Sequence, residues 1–357
     1  MRWLVAHPGP QFSVEDVYAG WVEGLREVGE DVHVFNLSDR LAFYDAALVP
    51  TPTDGLFRKA CDAQQAIEFA VNGLAAALFK VRPEILLVVS GFFTPHELLD
   101  QARSYGTRVV VLCTESPYED DRQLALAEHA DLVLLNDPVN LDRFAEVAKT
   151  VYAPHAFRPR LHHPGESRYE PCDFAFVGTG YPSRVRFFET MDMSGLDVVL
   201  GGNWQRIDDA SPLFLHVGHA QGECVDNEQT AELYRAARVG INLFRRETGA
   251  SVNEVVEDAS GLERFAGVAM SPREVEMAAC GLFFLRDPRP ESDRVLGMLP
   301  TFSSPQEAGE KLRWYLSRPA LRRELAGAAM QAVADRTFAA HAAQLLRLFD
   351  RQPATIT

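Results

Sequence analysis

The sequence predicts an α/β fold made of two doubly wound domains. The chain has 357 residues, and at about 150 residues per domain this length suits two domains that each bury a core. Short apolar runs alternate with amphipathic stretches along the whole chain, as they do when strands and helices alternate around a parallel sheet. A stretch rich in Pro and His interrupts this alternation near the middle. We therefore expect two parallel sheets, each covered by helices.

In the first half, short apolar runs have the length of buried strands. They are residues 3–6, 31–35, 85–90, 109–113 and 132–135. Stretches between them carry apolar residues at helical spacing, clearly at 14–28 and 64–79 and more weakly at 95–105 and 140–148. This order predicts a first Rossmann-like domain over residues 1–153.

The connector at residues 154–169 is rich in Pro and His, and we place the domain boundary there. Beyond it we predict strands at residues 174–177, 198–200, 239–243 and 282–285. Helices are predicted at residues 184–191, 230–237, 272–279 and 305–316. A second Rossmann-like domain is therefore expected over residues 170–330, followed by a helical segment, 331–357, that packs back towards the first domain.

The charge balance disfavours nucleic acid as a partner. The chain has 35 Lys and Arg against 50 Asp and Glu, a formal charge of −15, whereas binding to phosphate backbones needs clustered basic residues.

The five cysteines are far apart, odd in number and without a CxxC pair, which excludes a disulfide framework and a zinc site. An apolar stretch of about 18 residues, as a membrane span needs, is absent from the sequence. We expect a cytoplasmic protein without a membrane span.

The predicted architecture implies where a ligand binds. Open α/β sheets bind ligands beyond the carboxyl ends of their strands, and two such domains joined by a linker place a cleft between those ends. Candidate ligand-binding residues are therefore those that follow the predicted strands.

A glycine turn follows the first predicted strand of the second domain. Gly178, Thr179 and Gly180 let the backbone approach a ligand, and N–H groups at the start of the next helix favour an anion such as a diphosphate. Arg184 and Arg186 favour phosphate, because a structural helix start prefers acidic residues. The third glycine of the dinucleotide fingerprint is missing, which disfavours a nicotinamide enzyme. A tight turn that binds no ligand is the alternative.

The segment His7-Pro8-Gly9-Pro10, with Ser13, occupies the corresponding place in the first domain. The imidazole of His7 is a candidate for contact with a sugar hydroxyl or a phosphate. The alternative is a histidine packed under a proline turn.

A short helix is predicted between Ser271 and Gly281. Ser271 suits its N-cap, Pro272 its first turn and Gly281 its end. Arg273 and Glu276 are three residues apart and share a face, which brings a cation for phosphate next to a carboxylate for ribose hydroxyls. A surface salt bridge is the alternative.

These residues resemble the nucleotide-sugar motif of GT-B glycosyltransferases, specifically the CgeB-like (spore maturation protein) branch near the retaining family-4 enzymes. The resemblance starts from Arg273-x-x-Glu276 followed by Ala279-Cys280-Gly281 and an apolar strand. Further similar segments are His7–Pro10 with Gly20-Trp21, residues 153–159 with His163-Pro164, residues 176–178 with Arg184, and residues 231–234 with 237–242. The order and spacing of the segments carry the resemblance, which covers most of the chain.

The resemblance implies that Glu276, the second glutamate of the family's Glu-x7-Glu motif, binds the donor ribose. The first glutamate falls at Val268, so that half of the motif is absent, as is a clear Arg/Lys pair for the diphosphate. Arg184, Arg245 and Arg246 are candidates for that task. The acidic protein must then reverse its charge locally, and we expect Arg184, Arg186, Arg245, Arg246 and Arg273 to converge on one wall of the cleft.

Glu115 follows the predicted strand 109–113 where family-4 relatives often have a histidine. It is a candidate base for the acceptor hydroxyl, or it orients the substrate. Asp120-Asp121 and Asp208-Asp209 lack the Asp-x-Asp spacing of a metal-dependent enzyme, so we expect solvated acidic loops and no metal.

The sequence thus predicts a metal-independent, hexosyltransferase-like enzyme that needs no cofactor. It moves a sugar from a nucleotide-diphosphate donor, bound by the second domain, to an acceptor bound by the first. The acceptor is a protein, a glycan, a lipid headgroup or a small molecule. The alternatives are an epimerase or phosphorylase of the same fold, and a hinged binding protein without activity.

Overall fold

A computed structural model of the chain describes residues 1–9, 14–51, 55–204, 207–208, 210–217, 225–247 and 267–350. Pro10, Ser13 and Asp209 lie outside these residues. The described residues form two compact units. Unit 1 comprises Met1–Asn136, Asn140–Ala153 and the described chain from Ala342 on, and unit 2 comprises Asp137–Val139 and the described part of Pro154–His341.

Unit 1 is built on a six-stranded parallel sheet in the order β2-β1-β5-β6-β7-β8. Its strands are β1 (Arg2–Ala6), β2 (Asp31–Phe35), β5 (Ile85–Val89), β6 (Arg108–Cys113), β7 (Leu132–Leu135) and β8 (Thr150–Tyr152). Every residue of β5 is buried, because helices cover both faces of a parallel sheet and its central strands are apolar throughout. A separate antiparallel hairpin joins β3 (Leu48–Pro50) to β4 (Phe57–Lys59).

The helices of unit 1 bury apolar surface to different extents. They are α1 (Glu15–Glu27), α2 (Leu37–Ala46), α3 (Ala63–Val81), α4 (His96–Ser104), α5 (Asp120–Ala127) and α6 (Leu141–Ala145). In α3 the buried residues Ala66, Ala70, Leu74 and Leu78 recur every four positions, which places them on one face. The strand order reverses between β1 and β5, so this is the sheet's topological switch point.

Unit 2 has a four-stranded parallel sheet in the order β10-β9-β11-β12. Its strands are β9 (Cys172–Val177), β10 (Val198–Gly201), β11 (Ala237–Asn242) and β12 (Phe284–Arg286). The strand order reverses between β9 and β11. The loops after these two strands therefore lie at the place where an open α/β sheet binds its ligand.

The helices of unit 2 are α7 (Pro182–Thr190), α8 (Asn227–Ala236), α9 (Pro272–Ala279), α10 (Pro290–Val295), α11 (Pro305–Leu316) and α12 (Pro319–Ala332). The last helix, α13 (Phe338–Asp350), begins in unit 2 and ends in unit 1. Its Phe349 packs edge-on against Trp3 of β1, with ring centroids 6.2 Å apart. The end of α13 thus packs against β1 of unit 1.

Each strand and helix predicted from the apolar pattern within residues 1–316 is present, with ends that shift by up to three residues. The pattern missed α2, the β3–β4 hairpin, α5, β8 and α10. The missed elements are short or little buried: α2 buries only Leu37 among its residues, and β4 buries none. An element that covers little of the core carries a weak apolar period.

The expectation of a solvated loop at Asp120 is wrong. Asp120 begins α5 and is buried, and the side-chain amide of Asn140 donates a hydrogen bond to its carboxylate. Burial raises the pKa of Asp120. Asp208 is exposed, as expected. None of the described helices combines the length and the hydropathy needed to cross a bilayer.

Candidate functional site

The glycine turn after β9 is held by the backbone of the neighbouring loop. Gly178 N donates to Gly201 O at 2.9 Å, and Gly180 N donates to Asn203 O at 2.8 Å. A Cβ added at Gly180 would lie 2.5 Å from the ring of Trp204, so this position has no room for a side chain. The turn is rigid, and these two N–H groups are already used within the protein.

The start of α7 is occupied by a carboxylate of the chain itself. Glu247, which is buried, accepts hydrogen bonds from Ser183 N at 2.6 Å and from Ser183 Oγ at 2.9 Å. The sequence-based expectation that this helix start offers its N–H groups to a ligand is therefore wrong at Ser183. Positive charge for an anion must come from side chains instead.

Arg184 connects the loops after β9 and β11. Its Nε and Nη2 donate to Leu243 O at 3.1 and 2.8 Å, and its Nη1 donates to Thr179 O at 3.0 Å. The side chain is buried, and no carboxylate among the described residues lies within 4.0 Å of the guanidinium. Burial, and then the neighbouring Arg273, lower the pKa of Arg184 to about 9. The loops thus enclose a cation that is solvated by carbonyl oxygens.

Gly178 lies between two guanidinium groups. A Cβ at this position would be 3.1 Å from Arg273 Nη2 and 3.2 Å from Arg184 Nη1. Arg245 joins them, because its Nη1 donates to Tyr181 Oη at 3.1 Å and both Arg184 and Arg245 lie against the Tyr181 ring. The structure therefore brings together three of the five arginines that we expected on one wall.

The other two arginines are directed elsewhere. Arg246 Nη2 forms a 2.8 Å ion pair with Asp287. Arg186 is exposed on α7. The local reversal of charge is therefore smaller than the sequence suggested and is centred on Gly178.

Helix α9 has the ends that the sequence predicts. Ser271 is its N-cap and forms a capping box with Glu274, and Gly281 has a φ of +72° just beyond its end. Glu274 is fully buried, and burial raises its pKa to about 7. These contacts fix the first turn, which carries Arg273.

Glu276 is buried one turn further along α9. Asn227, the first residue of α8, donates from Nδ2 to Glu276 Oε1 at 3.3 Å. Burial, and then the charge of Glu276, raise the pKa of Tyr234. The Tyr234 hydroxyl is buried and has no hydrogen-bond partner in the part of the chain that the structure describes. This side of α9 therefore combines a carboxylate with uncharged polar groups.

His7 follows β1 in unit 1 and is buried. Gly9 N donates to its Nδ1 at 3.1 Å, so the proton of the neutral ring lies on Nε2. Burial lowers the pKa of His7, and the ring packs edge-on against Tyr18 at 4.7 Å. The structure thus places a neutral imidazole at the carboxyl end of β1.

Glu115 follows β6 and is half-buried. Its backbone is held on both sides: Gln123 Oε1 accepts from Glu115 N at 3.4 Å, and Tyr118 N donates to Glu115 O at 2.7 Å. Asn136 fixes the next residue, because its side chain both accepts from Ser116 N and donates to Ser116 O at 3.1 Å. Glu115 therefore has a defined place at the sheet edge.

The sequence pattern assigns no role to Glu247, to Asn227 or to the carboxylate of Asp137, which accepts from Val268 N. Glu247 comes close to Ser183 across 64 residues of sequence, and no motif of fixed spacing points to these three residues. Tyr234 lies in the segment 231–234 of the resemblance, which implies no role for its hydroxyl.

The fold is similar to that of known structures. Sucrose-phosphate synthase from Thermosynechococcus elongatus is 16% identical with a TM-score of 0.62, over 98% of this chain and 99% of that chain. An alpha-glucosyltransferase in complex with UDP and a 13-mer DNA containing a HMU base is 12% identical with a TM-score of 0.63, over 98% of both chains. A putative UDP-N-acetylglucosamine 2-epimerase from Listeria monocytogenes is 12% identical with a TM-score of 0.56, over 99% of this chain and 97% of that chain. These similarities show the fold, which is GT-B with two Rossmann-like units.

Residues 184–347 match the family model described as glycosyl transferase-like. The matched range contains Arg184, Arg245, Arg273 and Glu276. No curated protein matches the sequence significantly. The family match and the GT-B fold together support a glycosyltransferase.

Proposed function

We propose that the protein is a metal-independent glycosyltransferase that takes a sugar from a nucleotide-diphosphate donor bound to unit 2. The observation that supports this proposal most is that Gly178, which has no side chain, lies between the guanidinium groups of Arg184 and Arg273. Glycosyl transfer requires stabilisation of a leaving diphosphate, and preorganised cations supply it. Because two guanidinium groups flank Gly178 and that of Arg245 lies against Tyr181, the site has a source of positive charge other than a metal ion.

We assign the parts of the donor by the chemistry of each group. Arg273, with Arg245, binds the diphosphate, and Gly178, Thr179 and Gly180 leave room for it. Arg184 supports both loops and adds its charge. Glu276 accepts hydrogen bonds from ribose hydroxyls, as the resemblance implies and as a carboxylate acceptor can.

The acceptor belongs to unit 1 in this proposal. Glu115 acts as the base for the acceptor hydroxyl or orients it, and His7, as a neutral imidazole, contacts the transferred sugar. The same proposal includes a place in the CgeB-like branch and a hexosyltransferase-like activity. It also includes a cytoplasmic location and a partner that is not a nucleic acid.

A thermal-shift screen of nucleoside diphosphates and nucleotide sugars tests the donor site. A ligand at 100 times its dissociation constant adds about 2.7 kcal/mol to the free energy of unfolding, so the correct nucleotide gives a clear shift. We expect Glu276→Ala to lose most of it, because the ribose loses its acceptor. Glu310→Ala, at an exposed position of α11, is the control and should keep the full shift. An unchanged shift in Glu276→Ala would remove the ribose role.

The epimerase alternative has a fold neighbour in its favour. An epimerase converts the donor without an acceptor, whereas a transferase does not. Product analysis with the donor alone therefore separates the two. A binding protein would give a thermal shift and no product in either assay.

A further inference from the structure

Asp137 binds the chain just before α9. Its carboxylate accepts hydrogen bonds from Val268 N at 2.9 Å and from Ala269 N at 3.0 Å. It also accepts from Val139 N at 2.9 Å. Asp137 is only 2% exposed, and a buried carboxylate with three amide donors is a strong, specific anchor.

The next two amides are also bound by carboxylates. Met270 N donates to Glu291 Oε2 at 2.7 Å, and Ser271 N donates to Glu274 Oε2 at 2.9 Å. Glu291 is itself fixed by a 2.7 Å ion pair with Arg336. The four consecutive N–H groups of residues 268 to 271 thus each donate a hydrogen bond to a buried carboxylate. A capping box alone accounts for only the last of them.

This segment sets the position of the donor-binding residues. Arg273 follows two residues after Ser271, and its Nη2 would be 3.1 Å from a Cβ at Gly178. A small displacement of residues 268–271 would move Arg273 away from the glycine turn. The carboxylate that holds the first two amides comes from residue 137, which is 131 residues away in sequence.

We propose that Asp137 is a positioning residue for the nucleotide site, holding the start of α9 so that Arg273 and Glu276 meet the donor. The proposal rests on the proposed function of unit 2. It assigns Asp137 no contact with the substrate.

The test is the variant Asp137→Asn. Asparagine keeps the size of the side chain, but it has one acceptor oxygen, and its NH2 group would face backbone donors. Asp131→Asn is a matched control, because Asp131 also accepts from a backbone amide, Val109 N at 2.8 Å, beside the same strand β7. UDP, GDP, ADP and dTDP are titrated into each protein by calorimetry.

We expect the Kd of the bound nucleotide to rise about tenfold in Asp137→Asn and to stay within twofold in Asp131→Asn. In turnover, the donor KM should rise while kcat stays within about twofold, which a general loss of stability would not produce. A folded Asp137→Asn protein with the wild-type Kd overturns the proposal. If the wild-type chain binds none of the four nucleotides, the proposed function fails instead.

A second measurement tests the positioning role of Asp137 on the wild-type chain, so it does not depend on whether the variant folds. Binding linkage is reciprocal, so a nucleotide that needs this segment in place must also stabilise it. Hydrogen exchange of the amides of Val268 and Ala269 should slow at least threefold when the nucleotide is bound. Unchanged exchange of these amides at saturating nucleotide overturns the proposal.

Discussion

The carboxyl edges of the two sheets differ in charge. In unit 1 the polar side chains at this edge include a neutral histidine, His7, and the carboxyl groups of Glu115 and Asp120. In unit 2 the loops after β9 and β11, together with α9, bring Arg184, Arg245 and Arg273 to Gly178 and Tyr181. The edge of unit 2 therefore combines guanidinium groups with the buried carboxylates of Glu247 and Glu276, whereas the named groups of unit 1 are acidic or neutral.

Under the proposed function, this difference lets an acidic chain bind an anionic donor. The formal charge of −15 belongs to the whole sequence, whereas a ligand responds to the charges within about one Debye length, about 8 Å at physiological salt. A diphosphate suits the edge of unit 2, and a hydroxyl that must lose a proton suits the edge of unit 1. Variants at the two edges should therefore have separate effects on binding and on rate.

The largest expected effect is on the rate, at the edge of unit 1. Glu115→Gln should lower the rate of sugar transfer at least about 100-fold, since a positioned base contributes about 10² to 10⁴. The nucleotide Kd should not change. Glu119→Gln, four residues later at the N-cap of α5, is the control. Full transfer activity in Glu115→Gln would show that Glu115 is not the base.

At the edge of unit 2 the expected effect is on binding. Arg273→Ala should weaken the nucleoside diphosphate about 100-fold, roughly 2.7 kcal/mol, because the diphosphate loses a charged donor. The measurement is calorimetry. Arg246→Ala is the control, since Arg246 pairs with Asp287. An equal loss in both variants would contradict the assignment of the anion to Arg273 beside Gly178.

A smaller loss is expected for Gly178→Ala. The added Cβ would lie within 3.2 Å of both Arg184 Nη1 and Arg273 Nη2, so at least one guanidinium must move. We expect nucleotide affinity to fall about tenfold. Gly327→Ala tests the substitution alone, since a Cβ there has no neighbour within 4 Å and alanine favours a helix. Wild-type affinity in Gly178→Ala would show that the turn does not face the ligand.

The smallest effect concerns stability. Burial raises the pKa of Glu274 from 4.5 to about 7, so between these pH values the folded protein retains a proton that the unfolded chain has lost. The free energy of unfolding therefore falls as pH rises from about 4.5 to 7. The side chain of Glu274→Gln cannot ionise, so this variant should not show the decrease in unfolding free energy that Glu274 causes.

Urea unfolding of the wild type and of Glu274→Gln at pH 4.5 and pH 8 measures how much unfolding free energy each protein loses over this range. The difference between the two losses is the contribution of Glu274. We expect Glu274→Gln to lose less stability than the wild type over that range, by at least about 1 kcal/mol. Glu310→Gln, at an exposed position, should follow the wild type. The same pH dependence in Glu274→Gln and wild type would contradict the raised pKa.

The fold was accessible from the sequence because buried parallel strands are apolar runs and amphipathic helices have a period. Residues 85–89 and helix α9 show this, since their bounds follow from apolar length and from Ser271, Pro272 and Gly281. The hairpin at Leu48–Pro50 and Phe57–Lys59 was missed, since it is largely exposed. Burial produces the spacing of apolar residues, so elements with little burial cannot be predicted from that spacing.

The candidate site was accessible only in part. The residue types and spacing pointed to Gly178, Arg273 and Glu276. They could not show that Glu247 occupies the start of α7 or that Arg246 turns to Asp287. Both contacts join residues 40 or more positions apart, and a local pattern carries no information about such pairs.

Composition and neighbours along the chain were enough to predict two α/β units, an acidic net charge and the caps of α9. The tertiary structure decided which arginines meet at Gly178, and it placed the carboxylate of Asp137 against the amides of residues 268 and 269. The physical reason is that hydrogen bonds and Coulomb interactions act through space over a few ångströms. Only the folded chain sets those distances.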